Sequence, residues 1–174
     1  MGLGGVGIDG TYPEVSKDVM LSKLSVLKDQ FIENYNPDIK VRVDRIKRLQ
    51  LLVEENMDSF HKALQSDFGS RHEQMSLLSD TLPVINNAKD ALKNIHKWMK
   101  PEKRKPNFPL GLLGAKAYIQ FQPYGVVGII SPWNFPLILS IAPLVEVLAA
   151  GNNAMMKLSE FVPATSELPE ELIS

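Results

Sequence analysis

The chain predicts an α/β fold in which a run of helices is followed by the opening of a parallel sheet, and three observations carry this. Apolar residues recur at helical spacing up to about residue 100. From residue 115 they alternate or cluster as strands do. An apolar helix then separates two short apolar strands, as a parallel βαβ unit with a right-handed crossover requires. With 174 residues and 44% hydrophobic content, the chain can bury one ordinary core and leave a remainder that packs elsewhere.

Residues 1–15, rich in glycine and closed near Pro13, lack an apolar period and are expected to form a loose arm. Ser16 is a plausible N-cap for a first helix, in which Met20, Leu24, Leu27 and Phe31 recur until residues 34–37 end the run. One long helix is expected over residues 41–68. Ile46, Leu49, Val53, Met57, Phe60 and Leu64 make its stripe, and Gly69 supplies a left-handed residue at its end. A third helical stretch over residues 73–99 carries Met75, Leu78, Leu82, Ile85, Leu92, Ile95 and Met99 on one face, with Pro83 expected to kink it. Residues 16–100 thus read as one helical segment.

Residues 101–114 turn to proline, glycine and lysine, a connection over the surface. Residues 115–122 alternate, with Ala115, Ala117, Ile119 and Phe121 expected on a buried face. Residues 101–122 form the connection and strand that precede the sheet. Residues 125–130 are almost wholly apolar, which suits a central strand covered on both faces. An apolar helix over residues 137–150 is expected to be buried nearly all round and to end at Gly151. Residues 153–158 form a second strand, and residues 162–174 open a helix with Glu167, Glu170 and Glu171 near its start. Residues 123–174 therefore read as the start of a Rossmann-like parallel α/β sheet whose other strands lie outside this sequence, since two parallel strands make a poor sheet.

A net charge of −1 and a pI near 6.3 give no field to gather nucleic acid or acidic membrane surfaces. No stretch approaches the roughly 20 apolar residues that span a bilayer, and residues 1–10 lack the features of a secretory signal, so a cytoplasmic location is expected. Cysteine is absent, which removes disulfides, thiolate metal sites and a cysteine nucleophile from this chain. His61, His72 and His96 lie apart on helical segments as solvated or boundary residues, and no metal site is expected.

The segment PYGVVGIISPWNFP, residues 123–136, delivers Asn134 to the carboxyl end of a buried strand, where open α/β sheets bind ligands. An asparagine amide there can donate to an oxygen that becomes negative during acyl or hydride chemistry. Ser131, Asn134 and the prolines are equally the residues of an ordinary turn. In NNAMMKLSE, Lys157, Ser159 and Glu160 sit past the second strand. A lysine and a carboxylate so placed can hold nucleotide ribose hydroxyls or phosphates, or can stay solvated, and Ser159 can be a loop or cap residue. No GxGxxG follows the first buried strand, so a glycine-rich phosphate turn is not predicted.

PYGVVGIISPWNFPL, the apolar helix ending LAAGN, and MMKLSE followed by a proline resemble, in order and separation, motifs of the aldehyde dehydrogenase family. RIKRLQLLVEENMDSFHKALQSDFGSRHE and HKWMKP are similar to its class 3 branch and most to the coniferyl aldehyde dehydrogenase subgroup. The resemblance covers residues 42–174, less than half of a family chain, so the fold it implies is an incomplete one. Leu158 stands where the family commonly has proline.

The resemblance implies that Asn134 stabilises an oxyanion, that Ile130, Ser131, Pro132 and Trp133 line the nicotinamide and its ribose, and that Lys157 and Glu160, with Ser159 beside them, meet the adenosine ribose. It implies NAD as cofactor, with NADP as the second choice because Glu160 would accept from a 2′-hydroxyl and repel a 2′-phosphate. The implied chemistry is thiolate attack on an aldehyde, hydride transfer to the nicotinamide and hydrolysis of the thioester. Its cysteine and glutamate come from beyond residue 174 in the family, so this chain alone is expected to be inactive and truncated. The strand at 115–122 resembles part of the family's oligomerisation hairpin, which implies a homo-oligomer at full length. A non-catalytic protein that binds nucleotide or associates with dehydrogenase subunits is the alternative.

Overall fold

The computed structural model describes residues 15–173, so the arm expected over residues 1–15 lies almost wholly outside the described residues. Helix α1, Lys17–Glu33, starts as predicted: the Ser16 side chain accepts from the Val19 backbone N–H, satisfying one of the helix's first free donors.

The long second helix is in fact two. α2, Ile39–Glu55, is capped by Asp38 and ends at Asn56, whose side chain donates to the Leu52 carbonyl. α3, Met57–Phe68, follows immediately and closes at Gly69, φ 67°. The apolar stripe runs across the break, with Ile46, Val53, Phe60 and Leu64 fully buried, so periodicity gave no sign of it. A local Asn side-chain bond to its own helix competes with the backbone ladder and offers a physical reason for the interruption.

The third helical stretch also departs from expectation. A short α4, Glu73–Ser76, runs into a π-helical turn, Leu77–Thr81, and then α5, Leu82–Trp98. Pro83, which has no N–H to give to the turn before it, lies where the continuous helical run changes from π back to α. The wider turn rotates the face that enters the core. Met75 and Leu78, expected inside, are exposed, while Ser76, Asp80 and Thr81 are fully buried. Beyond it Val84, Ile85, Ala88, Ala91 and Ile95 make the buried stripe of α5.

Residues 101–122 hold two short strands: β1, Glu102–Arg104, which the composition did not reveal, and β2, Ala117–Ile119. They pair antiparallel, with Lys103 opposite Tyr118. The predicted buried face is absent from this segment, since Ile119 and Phe121 are exposed and Ala117 is half-buried. Alternation records which side chains share a face, and here no described element lies against that face closely enough to cover it.

β3, Val126–Ile130, and β4, Asn153–Lys157, pair in parallel around α6, Ile138–Ala149, as the predicted βαβ unit. Coverage is less than expected. In β3 Ile129 is buried but Ile130 is 82% exposed, and α6 buries only Ser140, Ile141, Leu144, Val145 and Ala149. An apolar strand and helix still exposed in part are elements whose other faces have no partner among the described residues. α2, α5 and α6 pack on one another, with Ile129 joining their core, while α1 meets the amino-terminal ends of the strands, where Asn153 donates to the Leu27 carbonyl. α7, Pro163–Ile173, lies on α3. Its first turn carries no acidic residue. Its free N–H groups are satisfied from outside by Asp67, which accepts from Ala164 N, Thr165 N and Thr165 Oγ1 at 2.6–3.0 Å.

Candidate functional site

Because β3 and β4 are in register, Ile130 lies opposite Lys157, and Ser131 N extends the ladder by donating to the Lys157 carbonyl at 3.0 Å. The chain therefore leaves both strands at one edge, and the segments singled out in the sequence emerge side by side. The first is a compact turn. Ser131 is buried and its hydroxyl donates to the Pro132 and Pro136 carbonyls, and Ser140 Oγ donates to the Pro136 carbonyl at 2.6 Å. Ser131 thus holds the turn from within, while Ile130, Pro132 and Trp133 present their surfaces outward.

Asn134 is exposed at the crest of this turn. Its backbone carbonyl accepts from Arg71 Nη1 at 3.2 Å, and its side-chain amide hydrogen-bonds to none of the described residues. An amide with both donors uncommitted can bind an oxygen brought to it, whereas one bonded within its own turn could not.

Arg71 and Asp80 escaped the sequence reading altogether. The Arg71 guanidinium lies between the rings of Phe68 and Phe135, 4.7 and 5.0 Å from their centroids, and donates to Asp80 Oδ2 at 2.6 Å and to Ser79 Oγ at 3.0 Å. Asp80 is fully buried, and its second oxygen accepts from Leu137 N and Ile138 N, capping the start of α6. Burial raises the Asp80 pKa above its ordinary value, outweighing the neighbouring Arg71 and the two amides, which lower it. The available signal was Asp80 itself, an acid between Ser79 and Thr81 with Leu77, Leu78 and Leu82 on either side, which demands a partner once buried.

At the second strand end Lys157 and Glu160 form an exposed ion pair with each other. The hydrogen bond from Lys157 is the first cause holding the Glu160 carboxyl below its ordinary pKa. Ser159 is buried, accepts from Phe161 N at 3.3 Å, and shapes the turn into α7. Among the histidines expected at the boundary, His61 is instead buried, with Nε2 3.2 Å from Thr81 Oγ1. Among the described residues no group of three or more His, Cys, Asp or Glu could hold a metal ion, and no helix is long and apolar enough to cross a membrane.

The pattern of the aldehyde dehydrogenase family matches residues 25–174. The chain belongs to the aldehyde dehydrogenase family. It is similar to a probable coniferyl aldehyde dehydrogenase of Caulobacter vibrioides, 45% identical over 156 residues that make 89% of this chain and 32% of that protein. It is also similar to aldehyde dehydrogenase family 3 member B3 of Mus musculus, 34% identical over 94% of this chain and 34% of that protein. Among solved structures, the substrate-bound state of Staphylococcus aureus AldH superimposes with a TM-score of 0.82 at 28% identity, over 88% of this chain and 33% of that one. The chain thus spans about a third of the length of the aldehyde dehydrogenases it matches.

Proposed function

We propose that this chain is the N-terminal portion of an NAD(P)-dependent aldehyde dehydrogenase that oxidises an aldehyde, coniferyl or another aromatic or aliphatic one, to the carboxylic acid. In this reading Asn134 donates its side-chain amide to the oxygen of the aldehyde as that oxygen becomes negative. The observation that carries the reading is the pairing of an exposed, uncommitted Asn134 amide with a backbone held by a buried arginine. Preorganised donors of this kind cost no reorganisation when charge develops.

The residues at the strand ends suit a dinucleotide. Lys157 offers N–H donors and Glu160 acceptor oxygens for ribose hydroxyls, while the exposed Ile130, Pro132 and Trp133 offer an apolar surface for a planar ring. Bound there, NAD(P) would supply the hydride acceptor. Ser131 and Ser159 serve the site by shaping its two turns. The carboxylate of Glu160 favours NAD over NADP. The β1–β2 pair, with exposed strand residues, suits the first part of an oligomerisation hairpin, and we place the enzyme in the cytoplasm as a homo-oligomer.

The chain has no cysteine, so the thiolate that attacks the aldehyde comes from outside these residues, and the isolated chain binds nucleotide without turnover. Calorimetric titration with NAD tests the first half: saturable binding is expected, and no heat of binding would contradict it. Joining the chain to the remaining two-thirds of the Caulobacter vibrioides relative tests the second. Aldehyde-dependent NADH formation by the fusion supports the reading, and a folded but silent fusion contradicts it, as does turnover by the chain alone.

The open faces of β3 and α6 favour one other reading, a non-catalytic protein that binds nucleotide or docks on dehydrogenase subunits. Co-precipitation of the chain with an intact relative would favour it if the fusion stayed inactive.

A further inference from the structure

Around the turn that bears Asn134, three elements converge on one small set of polar atoms. Arg71 follows α3, Asp80 lies in the π-helical turn, and Leu137 and Ile138 open α6. Arg71 binds the Asn134 carbonyl, Asp80 binds Arg71 and the amides of Leu137 and Ile138, and the Arg71 and Asp80 side chains are 8% and 0% exposed. The backbone on both sides of Phe135 is therefore tied to one buried ion pair, and Phe135 covers a face of the guanidinium.

We infer that Arg71 and Asp80 are positioning residues for the aldehyde reaction: they fix the direction of the Asn134 amide by holding its own carbonyl and the two amides that follow its turn. The inference rests on the oxyanion role proposed for Asn134. Geometry supports it in three ways. The anchor reaches Asn134 through its backbone, leaving the side-chain amide free. Arg71 bridges three acceptors, Asn134 O, Ser79 Oγ and Asp80 Oδ2, which a planar fork can reach together and a lysine ammonium cannot reproduce. The hydrogen bonds of the pair go to Asn134, Ser79, Leu137 and Ile138 and to none of the strand-end residues assigned to the nucleotide, so it can act on rate with little effect on cofactor binding.

Two measurements test this. In the ¹⁵N-labelled 174-residue chain, Arg71→Lys is expected to leave the signals of α2, α5 and α6 in place, while backbone order parameters at residues 133–135 fall from about 0.85 to below about 0.6. Phe135→Leu, which uncovers the guanidinium, replaces that variant if it fails to fold and is expected to loosen residues 133 and 134 similarly. Unchanged order in the folded variant would overturn the anchor. In the fusion with the Caulobacter vibrioides relative, Arg71→Lys is expected to lower kcat about tenfold with KM within about twofold, because small misplacements of a donor are costly. In an Asn134→Ala background the same change is expected to cost less than about twofold, since coupled residues are not additive. Equal losses in both backgrounds would mark Arg71 as merely structural and overturn the proposal. If Asn134→Ala alone left kcat unchanged, the oxyanion reading would fall and the proposal with it. The order parameters do not depend on the reaction, so they distinguish that failure from a failure of the anchor.

Discussion

The Arg42 guanidinium occupies the space that a β-carbon on Gly151 would need, with its Cζ 2.6 Å from that position. Buried to within 5%, Arg42 donates to the Pro37 carbonyl, to Asn36 Oδ1 and, at 3.0 Å, to the Ala149 carbonyl at the end of α6. Gly151 has φ 85°, so this position demands glycine twice, for its backbone and for the approach of the arginine. Desolvation is the first cause lowering the Arg42 pKa, with Arg45 second.

Gly151→Ala is therefore expected to destabilise the chain by about 2–4 kcal/mol, combining left-handed backbone strain with displacement of a buried hydrogen-bonded cation. Urea unfolding measures it. A loss below about 0.5 kcal/mol would show that Arg42 swings aside at little cost.

Asp67 caps α7 from another helix, with bonds of 3.0 and 2.7 Å to Ala164 N and Thr165 N. Asp67→Ala is expected to cost about 1–2 kcal/mol, as loss of a cap does. Amide exchange should accelerate at residues 164–166 and stay unchanged in α5.

Asp80 gives the fold a pH dependence. Its carboxyl holds a proton more tightly when folded than at its ordinary value of 3.8, because it is desolvated. Unfolding then releases a proton between those two values, so this group's contribution to stability is full below 3.8 and is lost as pH rises through the raised folded value. Denaturant midpoints across that window should fall with pH in the natural chain and flatten in Asp80→Asn. Parallel slopes would contradict the assignment.

Glu160 carries a prediction about cofactor choice. Glu160→Gln removes the ion-pair partner of Lys157 and the negative charge at the edge proposed for the nucleotide. Calorimetry should show NAD binding weakened and NADP binding strengthened relative to it. An unchanged preference would place the adenosine ribose elsewhere.

Much of this was legible because periodicity reports which residues share a face. The helical segments, the βαβ unit and the end of α6 at Gly151 followed from spacing and from one glycine. What spacing could not report was a change of helix type. The break at Asn56 leaves the stripe intact, and the turn at Leu77–Thr81 shifts it without altering composition. Burial was overestimated in β3 and α6 because an apolar residue signals that a partner is needed and not where that partner is. Lys157 and Glu160 are placed together at a strand end, and Asn134 at the turn after its strand. Arg71, which anchors that turn, comes from 63 residues earlier in the chain. No local pattern encodes that contact, so only the buried Asp80 could have hinted at it.

The most direct test of the central claim is kcat for Asn134→Ala in the fusion with the Caulobacter vibrioides relative. Loss of the amide is expected to lower kcat by roughly 10²–10³-fold, the cost of one oxyanion donor, with aldehyde KM changed by less than about threefold. A folded variant whose kcat matches that of the unmodified fusion would contradict the account.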